Sequence, residues 1–142
     1  MRANLFRSRG RLFLAQYMPN EVGLHCMVDV REVPVDEERL GEAVQSRFAT
    51  AAPAVLDSDR VYQHMIRMSG AKSQRAFFRD AAMATVEKRG GWFEVIASRR
   101  HGNGFVGDPR AEVRQVTGAT SPKTLGRELL AALDESARLS AG

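Results

Sequence analysis

The sequence predicts an α+β fold, in which residues 1–142 form one domain with a mainly antiparallel central sheet of about five strands and helices packed against it. Three observations carry that expectation. Leu24, Cys26, Val28 and Val30 alternate with His25, Met27, Asp29 and Arg31, the period of a half-buried strand. Leu40, Val44 and Phe48 recur every fourth residue, as do Leu125, Leu129 and Leu133, which is the stripe of a helix lying on a core. Between Ala82–Lys88 and Trp92–Ser98 the chain reads Arg89-Gly90-Gly91, a turn signal that joins neighbouring strands as a hairpin.

The elements follow in order. Arg11–Met18 and Leu24–Val33 read as two strands divided by the turn signal Pro19-Asn20. Pro34 closes the second, because proline has no N–H to give to a ladder. Asp36 then offers an N-cap oxygen, and Glu37 and Glu38 suit the positive end of the helix dipole. That helix carries Leu40, Val44 and Phe48 and is closed by Ala51-Ala52-Pro53. Asp57 or Ser58 opens a second helix through Val61, Met65 and Met68 to Gly70, a suitable C′ residue. Ser73 caps a short helix bearing Phe77 and Phe78. After the hairpin, HGNGFVGDP reads as a glycine-rich loop, and Glu112–Val116 as a strand. Ser121 caps the last helix, with Pro122 in its first turn, where a missing N–H costs nothing.

One pattern occurs twice. Val30-Arg31-Glu32-Val33 leads into Leu40-Gly41, and Val113-Arg114-Gln115-Val116 leads into Leu125-Gly126. Each copy is a strand, a polar connection, and a helix that must lay an apolar stripe on a sheet. The glycine beside each leucine permits close backbone approach near a helix end, where its propensity cost is small. Two copies are too few for a solenoid, which needs about three repeats, so the repetition reports packing.

A length of 142 residues is that of one domain and suffices to bury a core. No uncharged apolar run reaches the ~18 residues needed to span a bilayer. Arg7, Arg9 and Arg11 interrupt any apolar region of a secretory signal, and the single cysteine, Cys26, excludes an intramolecular disulfide. The expected location is the cytoplasm.

Catalytic and cofactor motifs fail on their context. Gly102, Gly104 and Gly107 have the spacing G-x-G-x-x-G, yet Asp108-Pro109 follows where a dinucleotide site needs a helix N-terminus. Ser69 and Lys72 match S-x-x-K without the partner motifs of that enzyme class. His25 and Cys26 are adjacent on a strand and point to opposite faces, so Cys26 would need His64 or His101 brought to it in space. The histidines lack metal-ligand spacing. The expectation is no enzyme, no cofactor and no metal site, with a Cys26 thiol enzyme as an alternative.

Charge points two ways. The net charge of +4 admits a small basic nucleic-acid-binding module, although Arg and Lys are spread along the chain. Against that background Asp29–Glu42 is acidic: Asp29, Glu32, Asp36, Glu37, Glu38 and Glu42 face only Arg31 and Arg39. An acidic surface on a basic protein suits a basic protein partner.

Several segments, taken in order, resemble the immunity proteins of bacterial contact-dependent growth inhibition systems. They are Ser69-Gly70-Ala71-Lys72-Ser73 with Phe77 or Phe78 after it, ATVEKRGGWFEVIAS, the loop with Gly104-Phe105, and SPKTLGRELLAALDES; Leu40-Gly41 matches less fully. The resemblance covers about two thirds of the chain. It implies a cytoplasmic protein without catalytic residues or cofactor that binds, one to one, the C-terminal toxin domain of a large secreted effector. Such toxins are frequently nucleases. Lys72, Leu125 and Gly126 match as fold-keeping positions, whereas toxin-contacting positions differ among members and do not carry over. This chain departs from expectation in being basic, since an inhibitor covering a nuclease cleft should be acidic. The run Asp36, Glu37, Glu38 and Glu42 is therefore the candidate toxin-binding surface. No membrane is expected as a partner, and nucleic acid is not expected as a direct one.

Overall fold

The computed structural model describes residues 2–19, 25–50 and 58–141. A seven-stranded antiparallel sheet runs β3-β2-β1-β4-β5-β6, with β7 also paired to β5. Its strands are β1 (Arg2–Ser8), β2 (Arg11–Pro19), β3 (His25–Val33), β4 (Ala82–Arg89), β5 (Trp92–His101), β6 (Gly104–Gly107) and β7 (Val113–Thr117). The helices are α1 (Glu37–Ala49), α2 (Ser58–Ser69), α3 (Gln74–Arg79) and α4 (Pro122–Ala141). The α+β class is as expected; two strands beyond the expected five are β1 and β6.

Both additions have a physical reason. β1 sits in the middle of the sheet with apolar cover on both faces, so Ala3, Asn4, Leu5 and Phe6 are all buried and no alternation marks it. It turns into β2 through Arg9 and Gly10, both at positive φ (55° and 75°), between the paired residues Ser8 and Arg11. Two left-handed central residues match the twist of the strands they join. β6 replaces the loop expected at HGNGFVGDP. Gly102, at φ 59°, opens a two-residue turn that pairs His101 with Gly104 and sets Phe105 opposite Arg100. β6 and β7 share one side of β5: β6 pairs with Ser98–His101, β7 with Trp92–Ile96.

The alternation expected along β3 does not hold. The register shifts between Gln16 and Tyr17, so that Asp29 pairs with Gln16 and Met27 with Tyr17, leaving Val28 as the extra residue. A bulge of this kind resets which face each side chain takes, and Met27, Val28 and Val30 are all buried. The Pro19-Asn20 turn, the start of the strand at Leu24, the Ala51-Ala52-Pro53 stop and Asp57 lie wholly or partly outside the described residues.

Helix signals hold. Asp36 accepts the Arg39 N–H at 3.0 Å, Ser73 the Ala76 N–H at 3.1 Å, and Ser121 the Thr124 N–H at 3.2 Å. Gly70 follows α2 at φ 78°. Two cores flank the sheet. On one face α1 and α4 bring Leu40, Val44, Phe48, Leu125, Leu129 and Leu133 against Leu5, Leu12, Leu14, Val86, Phe93 and Val95. On the other, α2 and α3 bring Met65, Ile66, Phe77 and Phe78 against Phe6, Phe13, Met27 and Met83. Phe6, Phe77, Phe78 and Phe105 meet edge-on or tilted at 5.1–6.4 Å between centroids, the favoured aromatic geometry.

The doubled motif is resolved by this arrangement. β3 lies at one edge of the sheet and β7 toward the other, and their helices fold inward over the same face. There the two glycines meet each other's helix. A Cβ on Gly41 would fall 2.8 Å from the Cα of Pro122 and closer still to its carbonyl, and one on Gly126 would fall 2.9 Å from the Cα of Glu37. The close approach is therefore reciprocal and between helices. Gln45 adds an amide hydrogen bond to the Thr120 carbonyl at 3.0 Å. Leu125 and Gly126 are buried with the core, whereas Lys72 is exposed.

Candidate partner-binding surfaces

The acidic run divides once folded. Asp29 holds Arg31 at 3.1 Å and the buried Arg47 at 3.3 Å, while Glu32 takes a two-pronged hydrogen bond from Arg11 at 2.6 and 2.8 Å. The Arg11 hydrogen bond holds the Glu32 carboxyl below its ordinary value and raises the arginine in turn. Both acids are thus absorbed by the sheet and by α1. Four remain around the start of α1. Asp36 caps it and is exposed, Glu37 is half-buried beside the α4 contact, and Glu38 and Glu42 are exposed one turn apart. Asp36, Glu37, Glu38 and Glu42 thus lie at the cap and within the first two turns of α1, with Arg39 among them.

A second surface was not apparent from the sequence. Beyond the α2–α3 cluster, no helix among the described residues lies over the same face of β5 and β7. Trp92, Glu94 and Ile96 project there from β5, and Ile96 pairs across to Val113, Trp92 to Thr117 and Glu94 to Gln115. Trp92 is 50% and Val113 51% exposed, at the two ends of this paired stretch. Polar groups bound the patch inward. Thr85 donates its hydroxyl to Asn4 at 3.1 Å, and Arg2 stands 5.9 Å from the ring of Tyr17. The legible signal was the lone Trp92 at a hairpin turn, in register with Glu94 and Ile96.

A third feature lies where α3 meets the β5–β6 hairpin. Arg75, Arg79, Arg100, Gly102 and Asn103 line a hollow of about 510 Å³. Arg100 is held by an Nη1 hydrogen bond to the Ala81 carbonyl at 2.9 Å, and its backbone N–H meets the Ser140 hydroxyl at 2.9 Å. Arg99, one residue earlier, turns instead to Asp108 at 3.3 Å. Asp108 is buried and also receives the Arg110 side chain at 2.7 Å; that hydrogen bond, with one from the Arg110 backbone N–H, holds its carboxyl down at about 2.

The thiol alternative needs a histidine beside Cys26. Cys26 stands on β3 and His101 on β5, four strand spacings apart, roughly 19 Å at the usual interval. His64 is exposed on α2 and lines a hollow of about 360 Å³ with Val28, Asp29, Val30 and Arg60; Cys26 is not in its lining. No group of three His, Cys, Asp or Glu side chains gathers as metal ligands among the described residues. No described helix is long and apolar enough to cross a membrane.

No family model and no curated protein matches the chain. Solved structures do match over nearly its whole length. A protein of unknown function from Neisseria meningitidis has a TM-score of 0.72 at 17% identity, covering 94% of this chain and 93% of that one. A chain of a CdiA-CT/CdiI toxin and immunity complex from Yersinia pseudotuberculosis has a TM-score of 0.71 at 16% identity, covering 94% and 95%. The likeness is one of fold. It spans nearly the whole of each chain.

Proposed function

We propose that this protein is a cytoplasmic immunity protein, which binds the C-terminal toxin domain of a contact-dependent growth inhibition effector one to one and neutralises it. The toxin on this reading is a nuclease. The observation that carries the proposal is the near end-to-end fold likeness to a chain of a toxin and immunity complex. The order of sequence segments that resemble immunity proteins supports it independently. No step of the function requires catalysis by this chain or a cofactor.

The acidic surface of Asp36, Glu37, Glu38 and Glu42 is proposed to face the toxin. Charges at an interface rim act mainly on the rate of encounter, and a stable complex buries roughly 1,200–2,000 Å² in total. The experiment is co-expression of toxin and this protein in a susceptible cell, with binding kinetics measured on the purified pair. Protection is expected, and cell death unchanged by this protein would end the proposal. Asp36→Lys/Glu38→Lys/Glu42→Lys should slow association by about tenfold at low salt. An unchanged on-rate, together with lost affinity in Trp92→Ala, would move the contact to the open sheet face, because a buried aromatic is the usual anchor of an interface.

The alternative is a small basic nucleic-acid-binding module, favoured by the net charge of +4. It requires affinity for nucleic acid that falls steeply with salt and exceeds that of an unrelated basic protein.

A further inference from the structure

We propose that the hollow between α3 and the β5–β6 hairpin is a binding site for phosphate-bearing anions, built by Arg75, Arg79 and Arg100. It stands apart from the toxin reading and neither needs nor supports it. Three guanidinium groups line one concavity, and no carboxylate is among its lining residues. Arg75 and Arg79 are one turn apart on α3 and so share a helix face, a spacing at which like charges weaken a helix. Neither is among the arginines that form ion pairs within the described residues. The arrangement is unfavourable on its own and becomes favourable once an anion sits between the charges.

Arg100 shows that the site is built and not merely crowded. Its Nη1 is fixed on the Ala81 carbonyl at the start of β4, and its backbone N–H on Ser140 of α4. The side chain is thereby oriented before any ligand arrives, with its remaining N–H groups free to donate. Adjacent Arg99 is neutralised by Asp108 on the opposite face, so the hairpin leaves only Arg100 facing the hollow uncompensated. Gly102 and Asn103 complete the wall with backbone and amide groups.

The charge count selects the ligand. One carboxylate brings a single charge and two oxygens, too few for three guanidinium forks. A phosphate or diphosphate brings two or more charges and at least three acceptor oxygens, which suits the planar, two-pronged donors of arginine. The hollow, about 510 Å³ and open to solvent, has room for more than one phosphate group. The phosphates come either from a free polyphosphate or nucleotide, or from a nucleic-acid backbone.

The test uses the full chain, inorganic pyrophosphate and a short single-stranded RNA, with affinity read by calorimetry. Arg75→Gln/Arg79→Gln removes two exposed charges from the hollow; Arg127→Gln/Arg138→Gln removes two exposed charges from α4 and serves as the control. We expect at least one of the two probes to bind, with affinity falling about tenfold or more in the first variant and less than about twofold in the control. If the RNA binds and pyrophosphate displaces it, the backbone is a source of the phosphates; pyrophosphate binding without competition points to a free anion. No binding of either probe, or equal losses in the two double variants, overturns the proposal.

Discussion

Replacing Gly41 with alanine adds one methyl group at the tightest point between α1 and α4. Elsewhere in a helix that change would stabilise by up to about 1 kcal/mol through propensity. Here the new Cβ would lie 2.8 Å from the Pro122 Cα and nearer still to the carbonyl oxygen, where ordinary contact begins at 3.4 Å. The obstacle is backbone, which cannot rotate away as a side chain does. The helices must separate by well over ~1 Å to clear the carbonyl, loosening Leu40, Val44, Leu125 and Leu129, which are wholly buried between them and the sheet. Overpacking of this kind costs about 1–3 kcal/mol, and the loosened core adds to it. Set against the propensity gain, a net loss of about 2–3 kcal/mol is expected, near 10 °C in melting temperature for a chain of this size. Gly126→Ala should behave alike, because it meets Glu37 in the same way. The double variant is decisive. Once one methyl has pushed the helices apart, the second meets less resistance, so the pair should cost clearly less than the sum. Thermal and urea unfolding measure all three. A Gly41→Ala protein as stable as the parent, or strictly additive losses, would refute reciprocal helix contact.

Three further outcomes follow from the same geometry. Ser136 is buried; its hydroxyl takes the Met83 N–H at 3.0 Å and donates to the Ser98 carbonyl at 2.6 Å, so Ser136→Ala should cost about 1–3 kcal/mol in urea unfolding by orphaning both groups. Asp108, at about 2 when folded against an ordinary 3.8, contributes stability that is complete above the higher value and lost as pH falls toward the lower. Asp108→Asn should therefore flatten the decline of melting temperature between those two pH values, and an unaltered slope would show that the Arg110 contact does not form. Trp92→Ala, at a half-exposed site, should shift stability by under about 1 kcal/mol while weakening partner binding only if the open sheet face is the interface.

Local chemistry made much of this fold legible. Asp36, Ser73 and Ser121 each cap the helix their position implied, since a cap needs only a short polar side chain before an apolar stripe. β1 stayed hidden because a strand covered on both faces loses its alternation, and β6 because four residues rich in glycine become a strand only through pairing with β5. The candidate sites were less legible still. Glu32 reads like Glu38 in sequence, yet Arg11, distant along the chain, engages one and leaves the other facing outward. Arg75, Arg79 and Arg100 form a single hollow only because α3 is set beside a hairpin whose turn begins at Gly102.

The clasp of α1 on α4 also has a meaning for how the molecule comes into being. Every described strand is synthesised before α4, yet the core over β1, β4 and β5 on that face is incomplete without Leu125, Leu129 and Leu133. Until that helix leaves the ribosome, one side of the sheet is covered by α1 alone and Gly41 has no counterpart. Protection of this kind is acquired in a single late step, so a nascent chain cut short of α4 should be recognised by proteases as unfinished.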